Sequence, residues 1–235
     1  MAYLNFISDN DLSKCFKHLH ESTAKGSEKA DDKFERNVID PFSTLIEMAI
    51  FGCDSKTWTT MEKRRQSQKS LTNAIGTFHQ QILACIQGWE DLGTSNQVDL
   101  VNRERKIIAE IKNKHNTLKA SDKAMLYRRL SDLIFKKNSI FKGFTAYYVE
   151  IVPDSSKSYD IPFVPSDSST GGRCPVDKKI RKIDGRSFYA LATGDENALD
   201  NLFTVLPDVM EPFVRKLESR DVVFAVDYFK KAYRH

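Results

Sequence analysis

The chain has 235 residues, 40% of them apolar and 29% charged, so it can bury a proper core and is too hydrophobic for a disordered polypeptide. With 36 Lys and Arg against 32 Asp and Glu, its formal net charge of +4 neither demands nor excludes an anionic partner. No apolar run approaches the roughly 18 residues of a membrane span, the opening MAYLNFISDNDLSKCF lacks the basic flank and apolar centre expected of a secretory leader, and the four scattered cysteines fit a cytoplasmic chain with reduced thiols.

Residues 8–36 alternate polar and apolar at helical spacing, with Ser8 and Asp9 as caps. Asp40 before Pro41 opens a second helix, which Gly52 stops. Asp54 or Ser55 reopens the chain into a long helix over 59–86, with Leu71, Ile75, Phe78, Ile82 and Cys85 at spacings of three and four. Gly88 ends it, and EDLGTSNQ reads as a polar loop. The period then changes. VDLV and KIIAEIK read as two short strands of a hairpin around the polar turn NRERK. SDKAMLYRRLSDLIF returns to helical spacing, with Ser121 or Asp122 as cap. FTAYYVEIV, aromatic and β-branched, is a strand closed by Pro153. Residues 154–175, rich in Ser, Asp, Pro and Gly, form a long loop or flexible arm, and SFYALAT reads as another buried strand. Gly194 and Asp195 turn into the helix ENALDNLFTVL; a last helix over 209–220 and the aromatic tail VVFAVDYFKKAY complete the chain.

Neither an internal repeat nor a clean linker interrupts this series. The expectation is one α/β domain over 1–235, a mixed central sheet flanked by helices. It divides into a helical part (1–90), a hairpin and core (91–152), a loop or arm (153–187) and a C-terminal strand with helices (188–235).

The hairpin carries the chemistry. In a strand residues i and i+2 share a face, so Glu110 and Lys112 point the same way while Ile111 packs behind them. Asp99 stands on the neighbouring strand with ten residues between it and Glu110, a separation that lets a hairpin bring the two carboxylates side by side. Such a pair repels unless something neutralises it, and oxygen ligands suit a hard cation such as magnesium. The carbonyl of Ile111 can supply a further ligand. A magnesium ion here would polarise a phosphoryl oxygen and lower the pKa of a water, with the Lys112 ammonium orienting the attack or stabilising charge on the phosphate. The four cysteines, Cys15, Cys53, Cys85 and Cys174, form no CxxC pair and the five histidines are not spaced to join them, so neither a zinc site nor a disulfide framework is expected.

The spacing D-x10-ExK resembles the motif of the PD-(D/E)xK nuclease fold, with Val98 where the motif has proline. In chain order, NVIDPF, IGTFHQQIL, GWEDLG, VDLVN, IAEIKNKHNT and SDKAMLY, then SFYALATGDENALDNLF, resemble the family of type II restriction endonucleases that cut GGNCC-type sites. That resemblance implies a magnesium-dependent endonuclease, working as a homodimer on short double-stranded DNA sites, with a cognate DNA methyltransferase as genetic partner. It also implies that Asp99 and Glu110 are metal ligands and Lys112 the catalytic lysine. Two rivals share part of this reading: a repair or structure-specific nuclease on the same core, and a non-catalytic DNA-binding protein.

Further candidates are less local. Glu47, the lone acid in FSTLIEMAIF, is a candidate fourth metal ligand, and Gln81 a weaker site residue. Asn113, Lys114, His115 and Asn116 follow the catalytic strand and can reach phosphates or sugar edges. From Arg173 to Arg186 six cations face two anions, and Arg173, Lys178, Lys179, Arg181 and Lys182 are the candidates for entering a DNA groove, since Arg or Lys to guanine is the commonest specific contact.

Overall fold

The computed structural model describes residues 2–34, 38–93 and 97–233. Helix α1 spans Asp9–Phe34, α2 Pro41–Phe51 and α3 Ser55–Ala84. Strands β1 (Glu90–Asp91), β2 (Leu100–Asn102) and β3 (Ile107–Lys114) follow, then α4 (Ala120–Phe135) and β4 (Thr145–Val152). The chain continues through β5 (Asp160–Pro162), β6 (Ser166–Asp167), β7 (Gly172–Arg173) and β8 (Ile180–Asp184) to α5 (Gly185–Thr193), α6 (Ala198–Met210) and α7 (Ser219–Tyr233). None of the helices among the described residues is long and apolar enough to cross a membrane.

Six strands form a mixed sheet in the order β1-β2-β3-β4-β8-β5. The β2–β3 hairpin is antiparallel, β3, β4 and β8 run parallel, and β5 returns antiparallel at the far edge. A parallel pair needs a crossover, and α4 supplies it between β3 and β4. Strand alternation sorts the side chains onto two faces. Leu100, Ala109, Ile111, Val149, Ile151 and Ile183 pack beneath α1, α3, α5 and α6. Val101, Ile108, Ala146, Tyr148 and Ile180 pack beneath α4, whose Leu126, Leu130, Leu133 and Ile134 form its buried stripe.

Several local readings hold. Asp40 caps α2 by accepting from the Phe42 and Ser43 N–H groups, and Gly52, at φ +60°, ends it. Asp54 caps α3 through Thr57 N–H, so that helix begins four residues before the expected 59, and it closes at Ala84. The expected end of α1 at residue 36 lies outside the described residues.

Other readings are corrected. SFYALAT is helical, not a strand. Asp184 accepts from the Ser187 N–H and hydroxyl, and Phe188, Tyr189 and Ala192 are buried at helical spacing. Gly185 begins this helix because a Cβ there would lie 2.3 Å from the Ile151 carbonyl oxygen. The strand is instead the preceding IRKID, which falls inside the expected 153–187 arm. The 153–187 arm is not structureless: it holds β5, the small β6–β7 ladder and β8. β1 occupies the start of the EDLG loop. Lys119, without a side-chain bond, is the α4 cap, so Ser121 and Asp122 stand in the first turn. At the C-terminus α6 runs through Pro207 to Met210, and the aromatic tail is a helix of its own. Val222, Ala225, Val226 and Phe229 lean inward every three or four residues, and the Tyr233 hydroxyl donates to the Ile151 carbonyl at 2.8 Å.

Candidate active site

Register places the first two acids. β2 pairs with β3 as Leu100 with Ala109, Val101 with Ile108 and Asn102 with Ile107, and the Asp99 N–H continues the ladder to the Ala109 carbonyl at 3.1 Å. One step further, Asp99 stands across from Glu110. The backbone ladder ends here and the side chain takes over: Asp99 Oδ2 accepts the Ile111 N–H at 2.7 Å. In a strand the N–H and C=O of one residue point to the same side, so the Ile111 carbonyl is directed toward the Asp99 edge.

Lys112 Nζ lies 2.8 Å from Glu110 Oε1 and 4.0 Å from Asp99 Oδ2. From α4 above, Arg129 Nη2 reaches the same Glu110 oxygen at 2.8 Å. Glu110 is buried. Burial, then the neighbouring Glu110, push the Asp99 carboxyl up to about 6, against the pull of Lys112, the Ile111 N–H and Arg129. Two carboxylates and a carbonyl converging on one edge, one acid strained toward protonation by the other, is a donor set that a hard divalent cation fits. Among the described residues no three His, Cys, Asp or Glu side chains gather as a cation-binding group, so these two acids stand without a third.

A second charged cluster adjoins the first on the same face. Glu150 of β4 pairs in register with Lys112 and is fully buried. It meets Lys182 Nζ at 2.9 Å, Lys123 Nζ at 3.3 Å and the Tyr159 hydroxyl at 2.7 Å. Burial raises its pKa, but Tyr159 and the two lysines outweigh it and hold the carboxyl below its ordinary value.

The remaining candidates scatter. Glu47 does not join the acids: its Oε2 is held by Trp58 Nε1 at 3.0 Å and Arg65 Nη2 at 2.9 Å, within the α2–α3 pair. The lone acid of α2 is thus spent on a neighbouring helix that packs on the opposite face of the sheet. Gln81, on that face too, contacts His18 Nδ1 at 3.1 Å. Asn113 and Lys114 end β3, and the exposed Asn116 follows in the turn. His115 is anchored by its backbone, its N–H on the Val152 carbonyl and its carbonyl on Lys123 Nζ. Arg173 bonds the Val164 carbonyl twice, at 3.1 and 2.8 Å. Lys178 and Lys179 precede β8, with Lys179 Nζ 3.1 Å from the Gly143 carbonyl, at the amino ends of the parallel strands. Arg181 and Lys182 are strand residues, not arm residues: Arg181 ties β8 to Asp160 of β5, and Lys182 belongs to the Glu150 cluster.

Arg129, Lys123 and Glu150 were missed. Glu150 did leave a signal, as the one acid in the apolar run AYYVEIV; the two helix cations did not, because nothing local says which strand α4 crosses.

With this geometry in view, the relatives are informative. A family profile described as Eco47II restriction endonuclease matches residues 4–215. The type II restriction enzyme Eco47II of Escherichia coli is 43% identical over 211 residues, which cover 90% of this chain and 88% of that enzyme. The type II restriction enzyme Sau96I of Staphylococcus aureus is 30% identical over 222 residues, covering 93% and 84% respectively.

Proposed function

Because the chain belongs to the Eco47II restriction endonuclease family and is a type II site-specific deoxyribonuclease, we propose that it cuts double-stranded DNA at a short palindromic GGNCC-like site on a PD-(D/E)xK core. The reaction depends on magnesium and leaves 5′-phosphate and 3′-hydroxyl ends. The observation that carries this reading is the hairpin register that sets Asp99 across from Glu110 with Lys112 between their carboxylates.

In this reading Asp99, Glu110 and the Ile111 carbonyl would hold the ion. When bound, magnesium polarises a phosphoryl oxygen and lowers the pKa of a water. The chain's own residues do the rest. The Asp99 carboxylate is kept in place by the Ile111 N–H. Lys112, set by Glu110, presents an ammonium to the attacking water and to the charge that grows on the phosphate. Lys114, His115 and Asn116 stand where the backbone leaves the catalytic strand and track phosphates, and Arg173 adds to the cationic surface for DNA. A palindromic site is matched by a two-fold homodimer in which each subunit cuts one strand. The enzyme acts in the cytoplasm, beside a methyltransferase that protects the host's own sites.

The test is digestion of unmethylated phage DNA with and without magnesium, followed by sequencing of the ends. Discrete fragments sharing one terminal sequence support the proposal. Random or structure-dependent cutting, or cutting indifferent to Asp99→Ala and Glu110→Ala, overturns it.

A further inference from the structure

Helix α2 is inside out. Of its residues none is buried. Phe42, Leu45, Ile46, Ala49 and Ile50, spaced i, i+3, i+4, i+7 and i+8, form one continuous apolar stripe, and that stripe faces solvent. Its four large side chains are between 53% and 76% exposed. The helix's one charged residue, Glu47, is turned the other way, onto Trp58 and Arg65 of α3. Both ends are firmly capped, by Asp40 and Gly52, so this is a formed helix that presents its hydrophobic side outward.

We propose that this face is the seam through which two copies of the chain pair, α2 against α2 across a two-fold axis. The proposal rests on the homodimer reading above and assigns it a surface. Two observations name a second copy as the occupant. An isologous contact brings the same patch of both copies together, so a net charge on that patch would face its own copy across the axis; on this stripe, with Glu47 turned inward, no like charges meet. The area also suits. Taking about 150 Å² per side chain, the low end of the aromatic range, four exposed to this degree offer on the order of 400 Å² per copy, about half the ~800 Å² each partner gives a standard interface. That is a fitting centre for an interface whose rim the flanking exposed Phe51 begins to supply. The stripe offers DNA no cation for its phosphates.

The experiment measures the mass of the full-length protein by light scattering across a dilution series, for the native chain and for Ile46→Glu. The glutamate sets like charges against each other at the centre of the seam and, being exposed, leaves the monomer's melting temperature unchanged. The expected result is a native dimer and a folded Ile46→Glu monomer. A second variant, Leu45→Ser, removes apolar area without adding charge and is expected to weaken the dimer in the same direction. A native monomer at every concentration, an Ile46→Glu protein that stays dimeric, or a native monomer that instead sediments with phospholipid vesicles overturns the proposal. Magnesium-dependent plasmid cutting by the native protein is scored separately. A dimer dissociated by Ile46→Glu that does not cut DNA removes the nuclease reading and leaves the seam; a cutting enzyme whose dimer ignores Ile46→Glu removes the seam alone.

Discussion

Arg129 and Lys112 converge on one oxygen of Glu110, each 2.8 Å from Oε1, one from helix α4 and the other from the strand itself. Two cations on one carboxylate oxygen is more positive charge than Glu110 alone requires, and Asp99 lies within reach of the excess. Arg129 therefore competes with any cation that the acid pair binds. Its side chain is partly exposed, which weakens the competition through solvent screening. Arg129→Ala is expected to tighten magnesium binding about threefold to tenfold, well below the Coulomb limit for a neighbouring unit charge. Calorimetric titration of the DNA-free protein with magnesium checks this; unchanged or weaker binding refutes it.

Burial, and then Glu110, disfavour the charge on Asp99 and push its carboxyl up to about 6. Asp99→Asn removes the charge and keeps an oxygen that can accept the Ile111 N–H. The variant is expected to be more stable than the native protein at neutral pH, by about 2 kcal/mol, and to lose cleavage by three orders of magnitude or more, as about 4 kcal/mol of lost ion binding and orientation implies. Paired urea melts and plasmid digests test both halves. Opposite signs for stability and activity are the mark of a site that sacrifices one for the other.

Glu150 is fully buried with two lysines and a tyrosine hydroxyl upon it. Glu150→Ala leaves Lys182 and Lys123 facing each other over an emptied, desolvated position. The expected cost is about 3 kcal/mol, the low end for breaking a buried ion pair, since both lysines keep some solvent contact. A chemical denaturation curve that shifts by less than about 1 kcal/mol would show that the cluster opens to water.

His79 bonds the Tyr189 hydroxyl through Nδ1 at 2.9 Å. Burial lowers its pKa to about 4. Below its ordinary value near 6.5 the unfolded chain takes up a proton that the folded chain refuses until about 4. Stability contributed by neutral His79 is therefore present above pH 6.5 and is lost as pH falls through that window. His79→Phe is expected to flatten the stability profile between these limits. Parallel thermal melts of the two proteins across the window decide the matter, and coincident slopes would exclude His79 as the source.

The acidic hairpin was legible in the sequence because everything that builds it is local. Alternation put Glu110 and Lys112 on one face, and a short polar turn returned Asp99 to Glu110's side. Caps were legible for the same reason: Asp40, Gly52 and Asp54 act on their own backbone. The failures cluster where short-range pattern is ambiguous. SFYALAT is seven residues long, too short for periodicity to separate a buried helix from a buried strand, and it was Asp184 and the close approach of Gly185 to Ile151 that settled it. IRKID was hidden by its charges, which pair with Asp160 and Glu150 once neighbouring strands are in place.

Residue type and spacing along the chain were thus enough to name an acid pair with its lysine, since a hairpin's partners are fixed within a dozen residues. Which helix would lie over that pair, that Glu150 would stand beside Lys112, and that Glu47 would turn away toward Arg65 all depend on sheet order and crossover. Those choices are made by the burial of two whole faces at once, an energy summed over many distant contacts that no single stretch of sequence contains.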